Sequence, residues 1–368
     1  MIIILVGALA VIGVILGAGI WSFKKQLNKE DPEYILELIK DKSNGKDVAL
    51  SIKYNHQQWV EINEQQVLPL ASTVKTIIAI EYAEQAAKGR INPDQIVNLT
   101  ELEKFYVPKT DGGAHEAWMS QLDNDTSVPL REIAKGMILY SSNANTEYLM
   151  HLLGLDDINK VPEKMGATNH EPLYPIVSAL FIPIELMAEN GYTKEEAISV
   201  LKTMSMEEYR NRAYVIHNRF LSSSPTLEEK HKVVRSLDMD FQKIWSDRLP
   251  GSTANDYISI MEKLNSKKFL GSDVHQYLDP VMEQMMKNPN NQGWLMHAGI
   301  KGGSTAFVMT SAMYATDKKG NCTEFVFLSN HLNVLEVTKL SKNMNGFQLK
   351  FLTDEEFRNS VKEELAEL

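Results

Sequence analysis

The chain has 368 residues, 43% of them hydrophobic and 23% charged, with a formal net charge of −10; that is length enough for one large domain, or two intertwined ones, around a proper core. Acids and bases are interspersed and no basic stripe appears, which excludes a nucleic-acid surface. Cys322 is the only cysteine, so neither an internal disulfide framework nor a cysteine-based metal cluster is available; in "KKGNCTEFVF" it reads as an inert thiol at the start of a strand.

Residues 1–23, "MIIILVGALAVIGVILGAGIWSF", carry no charged side chain, and a helix of about 20 apolar residues crosses a bilayer. The run reads as an uncleaved membrane anchor, because no basic segment precedes it and Gly17-Ala18-Gly19 is a poor cleavage site. Lys24, Lys25 and Lys29 follow it, so the positive-inside bias alone would place the remainder in the cytoplasm. Residues 24–33 read as a linker. "EDPEYILELIKDKS" then spaces Tyr34, Ile35, Leu38 and Ile39 on one helical face. "DVALSIKYN" and "QQWVEINE" alternate as strands around a turn at Asn55 and His56. "LASTVKTIIAIEYAEQAAKGR" predicts a helix ending near Gly89. From about Val128 to Leu270 the pattern is a succession of amphipathic helices, among them "VPLREIAKGMILY" and "TANDYISIMEKLNS". Near the end, "GIKGGSTAFVMTSAMYATD", a "KKGN" turn and "CTEFVFLSN" predict a second hairpin, followed by helix. N-terminal and C-terminal strands that must share one sheet, with helices inserted between them, describe an α+β architecture.

Within "LASTVKTIIAIEYAEQAAKGR", Ser72 and Lys75 stand three residues apart at the mouth of an apolar helix, where they would share a face. A serine hydroxyl is a weak nucleophile until a neighbour takes its proton, and a lysine whose ammonium is desolvated can do so. The helix N-terminus adds N–H groups that favour an oxyanion beside the serine. Ser-x-x-Lys alone is a weak signal. An N-capping serine followed by a lysine that snorkels to solvent accounts for it equally well.

Two further stretches sharpen it: Ser141-Ser142-Asn143 in "MILYSSNANTEYLMHLLG", and Lys301-Gly302-Gly303-Ser304 in "WLMHAGIKGGSTAFVMT". Together with Ser72-Thr73-Val74-Lys75, in this order, they resemble the three motifs of the penicillin-recognising serine hydrolases, the class A β-lactamases and D-alanyl-D-alanine peptidases. The likeness spans roughly residues 34 to 345. It implies an antiparallel sheet of N- and C-terminal strands flanked by helices and an all-α lobe over about 76–290; a helical tail follows over 346–368, and the span over about 181–250 is longer than the family's usual connection, with at least two extra helices, "TKEEAISVLKTM" and "LEEKHKVVRSL", that would cover the cleft or bind a partner. It also implies roles. Ser72 would be acylated with Lys75 as proton acceptor; Ser141, assisted by Lys301, would pass a proton to the leaving nitrogen; Asn143 would hold the substrate amide; the N–H groups of Ser72 and Ser304 would form the oxyanion hole. Lys301 would draw in the substrate carboxylate. The implied substrates are β-lactams or cell-wall peptides ending in D-Ala-D-Ala, which would put the domain outside the cell on its anchor. No cofactor, metal or nucleic acid is implied, and a protein partner is left unidentified.

The sequence also departs from that family. Gly302 stands where a hydroxyl residue follows the third-motif lysine, so Ser304 or Thr305 would have to supply the missing contact to a carboxylate. The loop glutamate that activates the deacylating water in class A enzymes has no matching motif. In "ATNHEPLYPIVSALFIPIELM", Glu171 is the best-placed acid and Glu185 lies further on. Without such a base an acyl-enzyme turns over slowly, which leaves a penicillin-binding sensor as the alternative to a hydrolase. Other chemistries lack their motifs: there is no Gly-x-Ser-x-Gly, no phosphate loop, and His115-Glu116 and His170-Glu171 lack the second histidine of a zinc pair. "KTDGGAHEAW", Lys109 to Trp118, is a glycine-bearing loop that reads either as a flank of the cleft or as a surface turn.

Overall fold

The structure is a computed structural model that describes residues 31–123, 125–366 and 368. The anchor expected at 1–23 and most of the linker lie outside the described residues. Among the described residues no helix is long and apolar enough to cross a membrane. The chain divides into two compact units, residues 42–332 and residues 31–41 with 333–366.

The larger unit is built on a five-stranded antiparallel sheet ordered β2-β1-β9-β8-β7. β1 (Val48–Tyr54) and β2 (Gln57–Ile62) form the first hairpin. Its turn residues Asn55 and His56 both adopt left-handed backbone, φ 50 and 63, the geometry that matches the right-handed strand twist. β1 then pairs along its whole length with β9 (Cys322–Ser329), from Val48↔Ser329 to Tyr54↔Thr323. The predicted strand from Gly299 to Asp317 is two strands, β7 (Leu295–Ser304) and β8 (Met309–Asp317). The chain reverses between them with no glycine or proline to signal it: Thr305 N–H donates to Val308 O at 3.0 Å, and Thr305 Oγ1 accepts from Phe307 N–H at 3.1 Å. Two small ribbons complete the strands, β3 (Leu68–Pro69) with β6 (Gly251–Ser252) and β4 (Ile96–Asn98) with β5 (Ser127–Pro129).

The Lys75–Ala87 helix runs through the helical lobe with Ile77, Ile78 and Ile80 fully buried. It packs against Leu130–Leu139, Asn143–Leu153 and Ser272–Met282. One core joins it to the sheet through Ala49, Tyr314, Val326 and Leu328. A second core belongs to the inserted helices, which are Ile182–Asn190, Lys194–Thr203, Met206–Ser222, Leu227–Ser236 and Met239–Asp247. Five helices stand where at least two were expected. The second core closes on Ala71 and Val308, so the insertion is seated beside the serine turn and the β7–β8 reversal.

The smaller unit contains the helices Tyr34–Lys42, Val334–Thr353 and Glu355–Leu365. Lys40 pairs with Glu364 at 2.7 Å, Asp31 N–H donates to Asn343 Oδ1 at 2.7 Å, and Phe347 meets Phe357 edge-on. The boundary expected at 345/346 falls inside a continuous helix. Nothing in "KLSKNMNGFQLKF" breaks it, because Gly346 sits mid-helix at a cost of only about 1 kcal/mol.

Candidate active site

Ser72 lies on a 3-10 turn, Ala71–Val74, that leads into the Lys75–Ala87 helix. Ala71 is held at φ 45, a conformation that costs a residue with a Cβ about 1–2 kcal/mol. The turn is tied to the sheet by two threonines that the sequence did not single out. Thr73 Oγ1 and Thr310 Oγ1 lie 2.7 Å apart; Thr310 Oγ1 donates to Leu70 O at 2.8 Å, and Thr73 Oγ1 lies 3.3 Å from Lys301 O. Both threonines are fully buried. Gly303 completes the contact: a Cβ there would stand 2.4 Å from Ser72 N, 2.8 Å from Thr310 Oγ1 and 2.9 Å from Thr73 N. Only glycine lets β7 approach the serine turn this closely. At Gly302, by contrast, an added Cβ would meet only Thr310 O at an ordinary 3.5 Å.

The lysines of the first and third motifs converge on the second. Lys75 Nζ donates to Ser141 O at 2.6 Å, Asn143 Oδ1 at 2.8 Å and Ser141 Oγ at 3.2 Å. Lys301 Nζ donates to the same Ser141 Oγ at 3.0 Å and to Gly302 O at 2.7 Å. Ser141 has φ 70, and Ser142, not Ser141, caps the Asn143–Leu153 helix by accepting from Asn145 N–H. The capping task therefore falls to its neighbour, and the Ser141 hydroxyl is left to both lysines.

Both lysines are buried, Lys75 completely and Lys301 to 4% exposure. Burial lowers the Lys75 pKa well below its usual range; Lys301 lowers it further and Asp111 opposes the shift. Burial alone brings Lys301 down to about 7. At neutral pH the pair does not carry its full double charge, so one of the two can take up a proton.

Ser72 Oγ makes no hydrogen bond among the described residues, and Lys75 does not reach it as the i,i+3 spacing suggested. The reason is chemical. An ammonium has three N–H groups, and Lys75 directs them at Ser141 O, Ser141 Oγ and Asn143 Oδ1. A neutral amine gives up one of these bonds and gains a lone pair.

The loop at Lys109–Trp118 is a wall of the site. Asp111 accepts from Ala114 N–H at 3.1 Å and His115 N–H at 3.2 Å, and from Asn143 N–H at 3.3 Å. His115 Nδ1 lies 2.9 Å from Ser142 Oγ. Ser142 already donates to Asn145 Oδ1, so His115 must donate there and is the neutral Nδ1–H tautomer. Burial holds its pKa down. An Asp three residues ahead of a short helix was the available signal for Asp111. Behind the motif, buried Glu147 accepts from Val177 N–H at 2.6 Å and Ser178 N–H at 3.1 Å, bonds Ser178 Oγ, and meets His217 Nδ1 at 3.1 Å. It clamps the segment where a loop carboxylate was sought.

The two acids of that segment stand elsewhere. Glu171 Oε2 accepts from Gly251 N–H at 3.0 Å and lies 4.0 Å from Arg210. It makes no hydrogen bond to Ser72, Lys75 or Ser141. Glu185 pairs with Arg219 at 2.5 Å on the inserted helices. Ser304 is exposed, and Thr305 Oγ1 is engaged by Phe307 N–H.

An antiparallel sheet whose edge strand presses a buried lysine against a helical lobe, with a second lysine and a serine between them, is the architecture of a serine β-lactamase-like hydrolase. The sequence profile of the β-lactamase enzyme family matches residues 32–323, and the chain belongs to that family. No curated protein matches it in sequence. Among solved structures, the β-lactamase from Sphaerobacter thermophilus is similar with a TM-score of 0.52 at 15% identity, covering 86% of this chain and 95% of that one. The TLA-3 extended-spectrum β-lactamase is similar with a TM-score of 0.51 at 14% identity, covering 86% and 98%. At these identities the likeness is one of fold.

Proposed function

We propose that the protein is acylated on Ser72 by β-lactams or by D-Ala-D-Ala-type amides. The observation that carries this reading is the double hydrogen bond to Ser141 Oγ, 3.2 Å from Lys75 and 3.0 Å from Lys301, which links the nucleophile's helix to the sheet edge through one hydroxyl. Ser72 gives its proton to neutral Lys75 as its Oγ bonds the substrate carbonyl carbon. The carbonyl oxygen takes the negative charge under the N–H groups of Ser72 and Ser304, an interaction worth about 10²–10³ in rate. As the C–N bond breaks, Ser141 Oγ–H protonates the leaving nitrogen and recovers a proton from the lysine pair. Asn143 and protonated Lys301 hold the substrate's amide and carboxylate. The uncharged run of residues 1–23 supports an anchor. Substrates of this class place the domain outside the cell, against the bias of Lys24, Lys25 and Lys29.

A second reading is favoured by one observation: among the described residues no carboxylate hydrogen-bonds Ser72, Lys75 or Ser141, and Glu171 is held by the Gly251 amide. The acyl-enzyme would then be long-lived, and the protein would act as a penicillin-binding sensor whose inserted helices serve a partner. Intact-mass measurement on the full-length chain with a fluorescent penicillin tests both. An adduct on the parent, absent from Ser72→Ala, is the expected result. Decay within seconds marks a hydrolase and persistence for many minutes a sensor. The complete absence of an adduct would overturn the proposal.

A further inference from the structure

We propose that Asp111 is a positioning residue for acylation, acting through Asn143 to hold the second motif on the Lys75 ammonium; this rests on the reading of Ser72 and Lys75 given above. Asp111 is the only carboxylate hydrogen-bonded to that motif among the described residues. Its Oδ1 accepts from Ala114 N–H, while Oδ2 is shared between His115 N–H at 3.2 Å and Asn143 N–H at 3.3 Å. The carboxylate thus joins the start of the Ala114–Met119 helix to the start of the Asn143–Leu153 helix. Asn143 is the residue through which this matters, because its side-chain Oδ1 accepts from Lys75 at 2.8 Å.

The arrangement is under strain that needs support from outside. Ser141 is held at φ 70, and conformations of this kind persist only where the surroundings over-determine them. Ser142 supplies one restraint through Asn145 and His115. Asp111 supplies another at the next residue. A slip of the Asn143 backbone would move one of the three acceptors of Lys75, Asn143 Oδ1, and disturb the two on Ser141, and displacements of about 1 Å in such sites cost up to ~10² in rate.

Asp111 also brings the anion that faces the lysines. Lys75 feels Lys301 from β7 and Asp111 from the loop, with opposite signs. His115, Glu116, Tyr106 and Glu103 stand behind Asp111 on the same side. Substitutions at Asp111 therefore separate geometry from charge. Asparagine removes the charge and keeps one acceptor oxygen, which turned toward Asn143 N–H holds that bond and gives up the one to Ala114 N–H; alanine removes the charge and both acceptors.

The test is stopped-flow acylation of the full-length chain by a fluorescent penicillin from about pH 5 to 9, with 13Cε-lysine NMR titration of the unacylated protein to read Lys75 directly. In Asp111→Asn the acid limb of the rate profile, and the Lys75 midpoint, move to lower pH by about half a unit or more, because a lost anion frees Lys75 of its proton sooner. In Asp111→Ala the plateau rate falls about tenfold or more, and the Asn variant recovers most of it. Profiles and midpoints identical to the parent in both variants would overturn the inference. Should Asp111→Ala fail to fold, Asp111→Ser, whose single hydroxyl cannot span from the Ala114 amide to the Asn143 amide, takes its place with the same fall in plateau rate expected. If the parent is not acylated at all, the proposed function fails. The NMR midpoint still decides for or against Asp111, since an unmoved Lys75 excludes it.

Discussion

Replacing Lys301 with methionine should change the pH dependence of stability as well as activity. In an unfolded chain this lysine titrates near 10.4; burial brings it to about 7 in the folded protein. Between those values the unfolded chain keeps a proton that the folded protein has released, so stability rises with pH across the window. Below about 7 both states are protonated and the full burial penalty stands, and above about 10 it is gone. A gap of about 3 units at ~1.4 kcal/mol per unit sets the penalty on the order of 4 kcal/mol. Methionine keeps an unbranched apolar stem and drops the charge. The lost bonds to Ser141 Oγ and Gly302 O cost about 1–3 kcal/mol, but that cost does not vary with pH. Urea unfolding of both proteins at a series of pH values, followed by tryptophan fluorescence, gives the difference directly. The parent should gain on Lys301→Met by about 3–4 kcal/mol between pH 6.5 and 10. A difference flat in pH would refute the reasoning, since the Lys301 charge, together with the release of Lys75 from it in the same direction, supplies the slope. Lys75 gives an independent check: with its like-charged neighbour removed, it holds its proton to higher pH, and the acid limb of acylation moves upward.

Ser141→Ala should leave a folded protein whose acylation, timed by stopped flow, is about 10²-fold slower, because in the proposed mechanism this hydroxyl carries the proton to the leaving nitrogen. Gly303→Ala should lower both the melting temperature and the acylation rate, since its Cβ would strike the Ser72 and Thr73 amides. Gly302→Ala, with room for a methyl group, should change the melting temperature by no more than about 2 °C, and equal losses at the two glycines would contradict the packing described. Glu171→Gln should leave the lifetime of the penicillin adduct within about twofold of the parent by intact mass, because that carboxylate is already bonded to Gly251 N–H.

The three motifs were legible because each joins a residue type of known chemistry to a marked change of backbone: a helix start at Lys75, a helix junction at Ser141, a strand at Lys301. Their meeting was not. It depends on Thr73 and Thr310, which look like any β-branched residues in helix and strand, and on Ser142 taking the cap that Ser141 could equally have taken. The β7–β8 reversal was missed because Ser304-Thr305-Ala306-Phe307 contains no Gly, Pro, Asn or Asp, its bonds coming instead from Thr305. The inserted helices were partly visible through capping boxes such as Thr193 with Glu196 and Thr226 with Glu229. The Met206–Ser222 helix was hidden by a polar run, "MEEYRNRAYVIHNRF", whose apolar face of Tyr209, Ala213, Ile216 and Phe220 is narrow. Only tertiary structure brings the Val177 and Ser178 amides to Glu147 and the Asn143 amide to Asp111; the Ala114 and His115 amides at Asp111 are local.

The pairing of β1 with β9 bears on the order in which the chain can fold. β1 must wait for strands made near the other end of the chain, and such distant pairings form slowly. The helices between can collapse on local contacts while the first hairpin still lacks its central neighbour. Lys75 and Ser141 belong to that early part, and Lys301 arrives with the late strands. On this topology the two lysine side chains come together beside one hydroxyl only when sheet docks on lobe.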